Sequence, residues 1–273
     1  MVYTLETRLL GMAEGNFRGG ADANGQGFAD HVRKALARHL PHGVTILAPK
    51  VNFTNRVVCD YPEEREHWIH RLFRTRHDAD GVICRGTKAA AVIFHSDWPV
   101  VCLSEKDRFA LLHAAYGNLI RPRPGEPGIL EVAMGHFDRL HVEIRLAYGI
   151  GPCCWQPTHD EMLEVLQPKM SPNHGALLEE CIGRTTRGPY GWSPVSVDLY
   201  QLAWLILTKV CQVPEERISW DTRCTCCALQ HGQPLYWSHT RWRKAHQDGG
   251  THAVDGQNAV LAYLVSPSDI PYM

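Results

Sequence analysis

The chain has 273 residues, 44% of them apolar, which is enough to bury a large core, and its 28 basic residues balance 29 acidic ones. That balance excludes binding to nucleic acid or an anionic membrane through net charge. No run reaches the roughly 18 uncharged apolar residues of a membrane span, and MVYTLETRLLGMAEG lacks the basic-then-apolar order of an export signal. The expectation is one cytoplasmic domain over residues 1–273 that acts on a small molecule, with its ten cysteines as free thiols.

From the N-terminus, GMAEGNFRGGADANGQG reads as an irregular glycine-rich loop leading into a helix over residues 28–40. Phe28, Val32, Ala35, Leu36 and Leu40 share one face of that helix, and Pro41 stops it. A strand follows at 44–48. AAAVIFHSDWPVVCL, residues 89–103, is a strand-rich run broken at HSDWP, and after the turn SEKD comes a second strand, RFALLHA. Polar residues at such a break, flanked by apolar strands, must be satisfied or functional. RPRPGEPG is a stiff loop, followed by a short helix at 129–140, a strand at 142–148 and the sharp turn GIGPCCWQP.

VDLYQLAWLILTKV predicts a helix over 197–210, with Leu199, Leu202, Ala203, Ile206 and Val210 buried and Ser196 as N-cap. The tail predicts a strand at 217–220, a cysteine-rich turn, a strand at 234–237, a polar loop and a final helix or strand over 259–265. Helices and strands alternate irregularly, so the expected class is mixed α/β (α+β), with helices packed outside sheets. The pairs in CTCC (Cys224 to Cys227) and CC (Cys153, Cys154) invite a zinc reading. Neither has a second C-x2-C to match it, so small buried thiols are the simpler expectation.

Four patterns occur in order: HSDWPVV followed by LLHAAYG; GIGPCCWQ; the 197–210 helix before the Cys224, Thr225, Cys227 turn; and LYWSHTR followed by DGQNA. Together they resemble the bacterial YfiH-like, or laccase-domain, family (multicopper polyphenol oxidase-like, purine nucleoside phosphorylase) over about residues 44–264. A loop and helix at 1–43 precede that region. The resemblance implies a four-layer α/β/β/α sandwich. It also implies one metal, zinc or copper, beside a purine nucleoside, and phosphorolysis or deamination of that nucleoside.

Carried over by position, His113 matches one family ligand, Asp97 stands where the family has Cys, and Asn52 stands where it has His. Carboxylate for thiolate hardens the site, and an amide is a poor zinc ligand. His95, two residues from Asp97 in an extended segment, would leave the same face and could complete a His113, Asp97, His95 set; His67, His70 and His77 are further replacements. The metal-free alternative is a general base, His113 oriented by Asp97. Tyr116 takes a family Trp position and could stack on a planar ligand. Gly117 and Gln257 stand where the family has Arg, which weakens phosphate recognition.

The expected function is therefore a diverged enzyme, suited to specialised metabolism. It would hydrolyse, cyclise or deaminate a nucleoside or another heteroaromatic or amide metabolite. Purine nucleoside phosphorylase or adenosine deaminase activity, and a catalytically silent binding protein, are the alternatives. The sequence leaves the oligomeric state open.

Overall fold

The computed structural model describes residues 3–14, 16–17, 34–41, 43–54, 56–59, 65–68, 72–120, 125–151, 153–154, 177–178, 180–184, 195–221, 223–247 and 255–266. Most of the glycine-rich loop, the first six residues of the predicted 28–40 helix, His70 and residues 121–124 lie outside them, as do the side chains of His67 and His77.

Two six-stranded sheets carry the fold. The first runs β1 (Thr4–Leu10), β16 (Asn258–Val265), β7 (Ala89–His95), β2 (Thr45–Lys50), β5 (Leu72–Asp78), β4 (Arg65–Trp68). The second runs β13 (Ile218–Trp220), β10 (Glu143–Ala147), β8 (Val100–Glu105), β9 (Arg108–His113), β6 (Gly81–Arg85), β3 (Val57–Cys59). Strand β7 is buried except at the half-buried Phe94 because both of its faces are covered, so its sequence reads as a continuous apolar run rather than an alternation. Ala89, Ala91 and Ile93 pack with Val100, Cys102, Phe109 and Leu111 of the second sheet. Ala90 and Val92, on the opposite face, pack with Ala35 and Leu36 of the helix α1 at 34–37.

The outer face of the second sheet, including Val101, Leu103 and Leu112, is covered by helix α3 (Ile129–Met134) and helix α4 (Leu199–Leu205). Helix, sheet, sheet, helix is the four-layer α/β/β/α sandwich. Short helix α2 (Tyr116–Leu119) follows β9. A two-residue turn joins β8 to β9, with Lys106 in the left-handed region (φ 51°).

Several local expectations change. Residues 4–10, placed before the first helix as loop, form edge strand β1; the helix expected over 129–140 stops at Met134; and the strand expected at 234–237 is only Gln233–Pro234. The predicted 197–210 helix begins later, because residues 195–197 form a short strand and Asp198 is the N-cap in place of Ser196. The Asp198 carboxylate accepts the N–H groups of Tyr200 and Gln201, both at 3.0 Å. From Ile206 to Val210 the helix widens into π turns. The polar loop expected after residue 237 contains helix α5 (His239–Gln247), in which Trp242 stacks on His239 and meets His246 at a tilt. The ambiguous final segment is a strand, β16, central enough to be buried on both faces. No described helix is long and apolar enough to cross a membrane.

The cap gives a direct test: Asp198→Ala leaves two first-turn N–H groups unmet and is expected to cost about 1 kcal/mol, read as a lower Tm. An unchanged Tm would remove Asp198 from that role.

Candidate functional site

One end of the sandwich collects the chain crossings between the two sheets. The chain passes from β5 to β6 through Ala79 and Asp80, and from β7 to β8 through the Ser96–Trp98 bend; β9 ends there at His113. Antiparallel pairing sets Val100 beside both His113 and Ala147, so the starts and ends of three strands share this edge. Gly149 crosses directly over Pro99; a Cβ there would lie 2.6 Å from the Pro99 backbone.

His113 is buried, and its Nδ1 lies 2.9 Å from Asp80 Oδ1. The other Asp80 oxygen accepts from Asn52 N–H (3.2 Å), Thr54 N–H (2.6 Å) and the Thr54 hydroxyl (3.1 Å). A carboxylate held by so many donors has only acceptor capacity to offer, so Nδ1 carries the hydrogen and Nε2 the lone pair. The main chain adds a bond from His113 N–H to Asp80 C=O at 2.7 Å. Phe53, half-exposed and in the left-handed region (φ 55°), sets its ring edge-on to His113 with centroids 5.8 Å apart. A bulky residue with positive φ is unfavourable, and such residues cluster at ligand sites.

The predicted orienting carboxylate, Asp97, does something else. Its Oδ1 accepts from the Thr225 hydroxyl at 3.0 Å and its Oδ2 from Thr240 N–H at 2.7 Å, in the first turn of α5. Asp97 thus clamps the Cys224–Cys227 turn to the start of a helix, and the partner of His113 is Asp80. The shared face expected for His95 and Asp97 is lost because β7 ends at His95 and the chain bends immediately after it. No motif in DADGVIC, residues 78–84, marks Asp80 as functional. The available signal was an acidic residue abutting a fully apolar run.

Asn52 contributes its backbone N–H to Asp80, while its side-chain amide donates to Asp78 at 2.6 Å. Tyr116 packs edge-on against Trp98, with ring centroids 5.1 Å apart. His95 is buried next to His113. Neither of its ring nitrogens has a well-formed hydrogen-bond partner among the described residues, the backbone of Trp98 being a weak one. Burial first, and the neighbouring His113 second, lower its pKa to about 3, so it is a neutral imidazole.

The residues do not fit the three-ligand metal site that the resemblance implies. Asn52 turns its amide away, both Asp97 oxygens are engaged, and His113, Asp97 and His95 do not converge. The group among the described residues that does converge, and could hold a metal ion, is Cys153, Cys154, Cys224 and Cys227. Cys224 and Cys227 stand at C-x2-C spacing, but their counterpart is an adjacent pair some seventy residues earlier, which spacing alone does not connect.

Two measurements follow. Asp97→Ala frees a helix N–H and a buried hydroxyl and is expected to lower stability by about 1–3 kcal/mol; an unaltered denaturation midpoint would refute the clamp. For His95, the unfolded imidazole protonates near 6.5 and the folded one near 3, so the unfolded chain binds the extra proton between those values. Stability from this group is therefore present above about pH 6.5 and lost toward pH 3, by at most about 1.4 kcal/mol per pH unit. His95→Phe should flatten the acid limb of urea midpoints against pH; an equally steep limb in the variant would contradict the assignment.

No protein-family model and no curated protein matches the sequence. Solved structures do. The hypothetical protein YfiH of Bacillus licheniformis aligns with TM-score 0.65 and 13% identity, over 92% of this chain and 85% of that one. YlmD of Geobacillus stearothermophilus gives 0.63 and 17%, over 97% and 92%. Neisseria meningitidis protein NMB0706, of DUF152, gives 0.58 and 18%, over 92% and 86%. Identities this low carry architecture and not activity, and with the sheet order and layers above they establish that the chain has the YfiH-like fold.

Proposed function

We propose that the protein is a diverged enzyme of this fold that hydrolyses or deaminates a nucleoside or another heteroaromatic or amide-bearing metabolite, with His113 as general base. The observation that carries the reading is the buried Asp80–His113 pair. Asp80 fixes the tautomer and stabilises the imidazolium that forms when Nε2 takes a proton. In the reaction, Nε2 accepts a proton from water as the water oxygen bonds to an electrophilic ring or amide carbon. The same proton then passes to the departing ammonia or amine as its C–N bond breaks. No metal is needed for either transfer.

Supporting features surround the pair. The exposed Phe53 ring offers a face to a planar ligand next to the base. His95, neutral and without a good partner, can donate to or accept from a ligand that reaches it. Phosphate recognition is the weak part of a phosphorylase reading: Gly117 has open space where a guanidinium would extend, and Gln257 brings an amide in place of the other.

The test follows ammonia release from adenosine and from a panel of heteroaromatic amides, without phosphate or added metal. Turnover is expected in wild type, with a loss of about 10²–10⁴-fold in His113→Ala at unchanged circular dichroism; Asp80→Asn is expected to lose turnover and to lower Tm as well. Phosphate-dependent release of base from inosine would replace this reading with phosphorolysis, and turnover indifferent to both substitutions would remove His113 from the chemistry.

A further inference from the structure

Away from the Asp80–His113 pair, two turns bring four thiols to one point. Cys153 and Cys154 lie in the turn after β10, and Cys224 and Cys227 in the turn after β13. Their four Sγ atoms all lie within 4.8 Å of one another, and those of Cys153 and Cys227 are 3.5 Å apart. An ion with four Zn–S bonds of about 2.3 Å sets its sulfurs about 3.8 Å apart in a tetrahedron, so a small inward movement completes the geometry. A disulfide would draw only two sulfurs together, to about 2.05 Å, and leave two aside; all ten cysteines are unbridged.

The surroundings suit an ion. Gly151 N–H donates to Cys224 Sγ at 3.2 Å, the kind of backbone support that spreads thiolate charge and orients a ligand. A Cβ on Gly151 would sit 3.3 Å from Cys153 Sγ and 3.4 Å from Cys224 Cβ, so the turn passes close against the cluster because it has no side chain there. Arg241 donates to Cys226 C=O at 2.7 Å, placing a cation beside the thiol turn. Two of the four cysteines are buried and two exposed, which leaves an entry path from solvent. Soft sulfur donors select zinc over magnesium, calcium or manganese, and four protein ligands leave no open position for substrate.

We propose that Cys153, Cys154, Cys224 and Cys227 bind one zinc ion as a closed tetrathiolate, and that the ion locks the two turns on which the Asp97 clamp depends. Thr225, between the second pair, donates its N–H to Gly149 C=O at 3.0 Å and its hydroxyl to Asp97 at 3.0 Å. Fixing Cys224 and Cys227 therefore fixes Thr225, then Asp97, then the first turn of α5. The ion is structural, so the proposal stands or falls separately from the general-base reading.

The experiment measures zinc per chain in the full-length protein, grown with zinc and purified under reducing conditions without chelator. It compares wild type with Cys227→Ser, Cys59→Ser and His113→Ala. About one zinc is expected in wild type, Cys59→Ser and His113→Ala, and well under one in Cys227→Ser. X-ray absorption on the wild-type protein reads the ligands directly, so misfolding of Cys227→Ser does not decide the matter; four sulfur scatterers near 2.3 Å are expected. Zinc-free wild-type protein with all thiols titratable, or with Cys153 and Cys227 bridged, overturns the proposal. So does an ion surrounded by nitrogen and oxygen, or lost in His113→Ala.

Discussion

The carboxylate of Asp80 lies at the point where the chain leaves one sheet for the other, and four donors meet there: two backbone N–H groups, a hydroxyl and an imidazole N–H. A buried charge is tolerable only when it is fully engaged. Satisfying Asp80 therefore forces the Asn52–Thr54 loop, the β5–β6 crossing and the end of β9 into one arrangement. The strained Phe53 and the tautomer of His113 follow from that arrangement. The same bonds that complete the fold at this edge leave an imidazole lone pair directed away from its carboxylate.

Asp97 is the complementary case. It stands at the break in an apolar run where a polar residue invites a chemical role, and it is buried as such a role would require. Its oxygens are instead taken by a threonine hydroxyl and a helix N–H drawn from segments more than a hundred residues away. The polar helix α5 has a weak apolar face of its own; it is held by this cap, by its stacked Trp242 and by the Arg241 guanidinium, which reaches carbonyl oxygens of Cys226 and Tyr236. That dependence explains why its sequence resembles a loop.

The elements most legible in the sequence are those whose neighbours are local or whose faces are uniformly covered. The β8–β9 hairpin could be read from its turn, β7 from its unbroken apolar run, and the buried face of α4 from its spacing. The ordered motifs pointed to the sandwich through the family they resemble, and one of them, GIGPCCWQ, holds the glycine that lets the backbone cross over Pro99. Less legible were boundaries that depend on competition between similar residues. Ser196 and Asp198 are both good caps, and pairing of residues 195–197 with β11 (Ile182–Arg184) settled the choice.

The sequence by itself determined the class of the fold, the burial of the central strands and the presence of His113 at a strand end, because periodicity and turn chemistry are local properties of the chain. Only the tertiary structure decided which carboxylate His113 meets and which cysteines meet each other. Asp80 and Asp97 are both aspartates beside apolar runs, and the two thiol pairs lie about seventy residues apart; their partners are chosen by how two sheets stack and where the crossings fall, a packing outcome that no local spacing encodes.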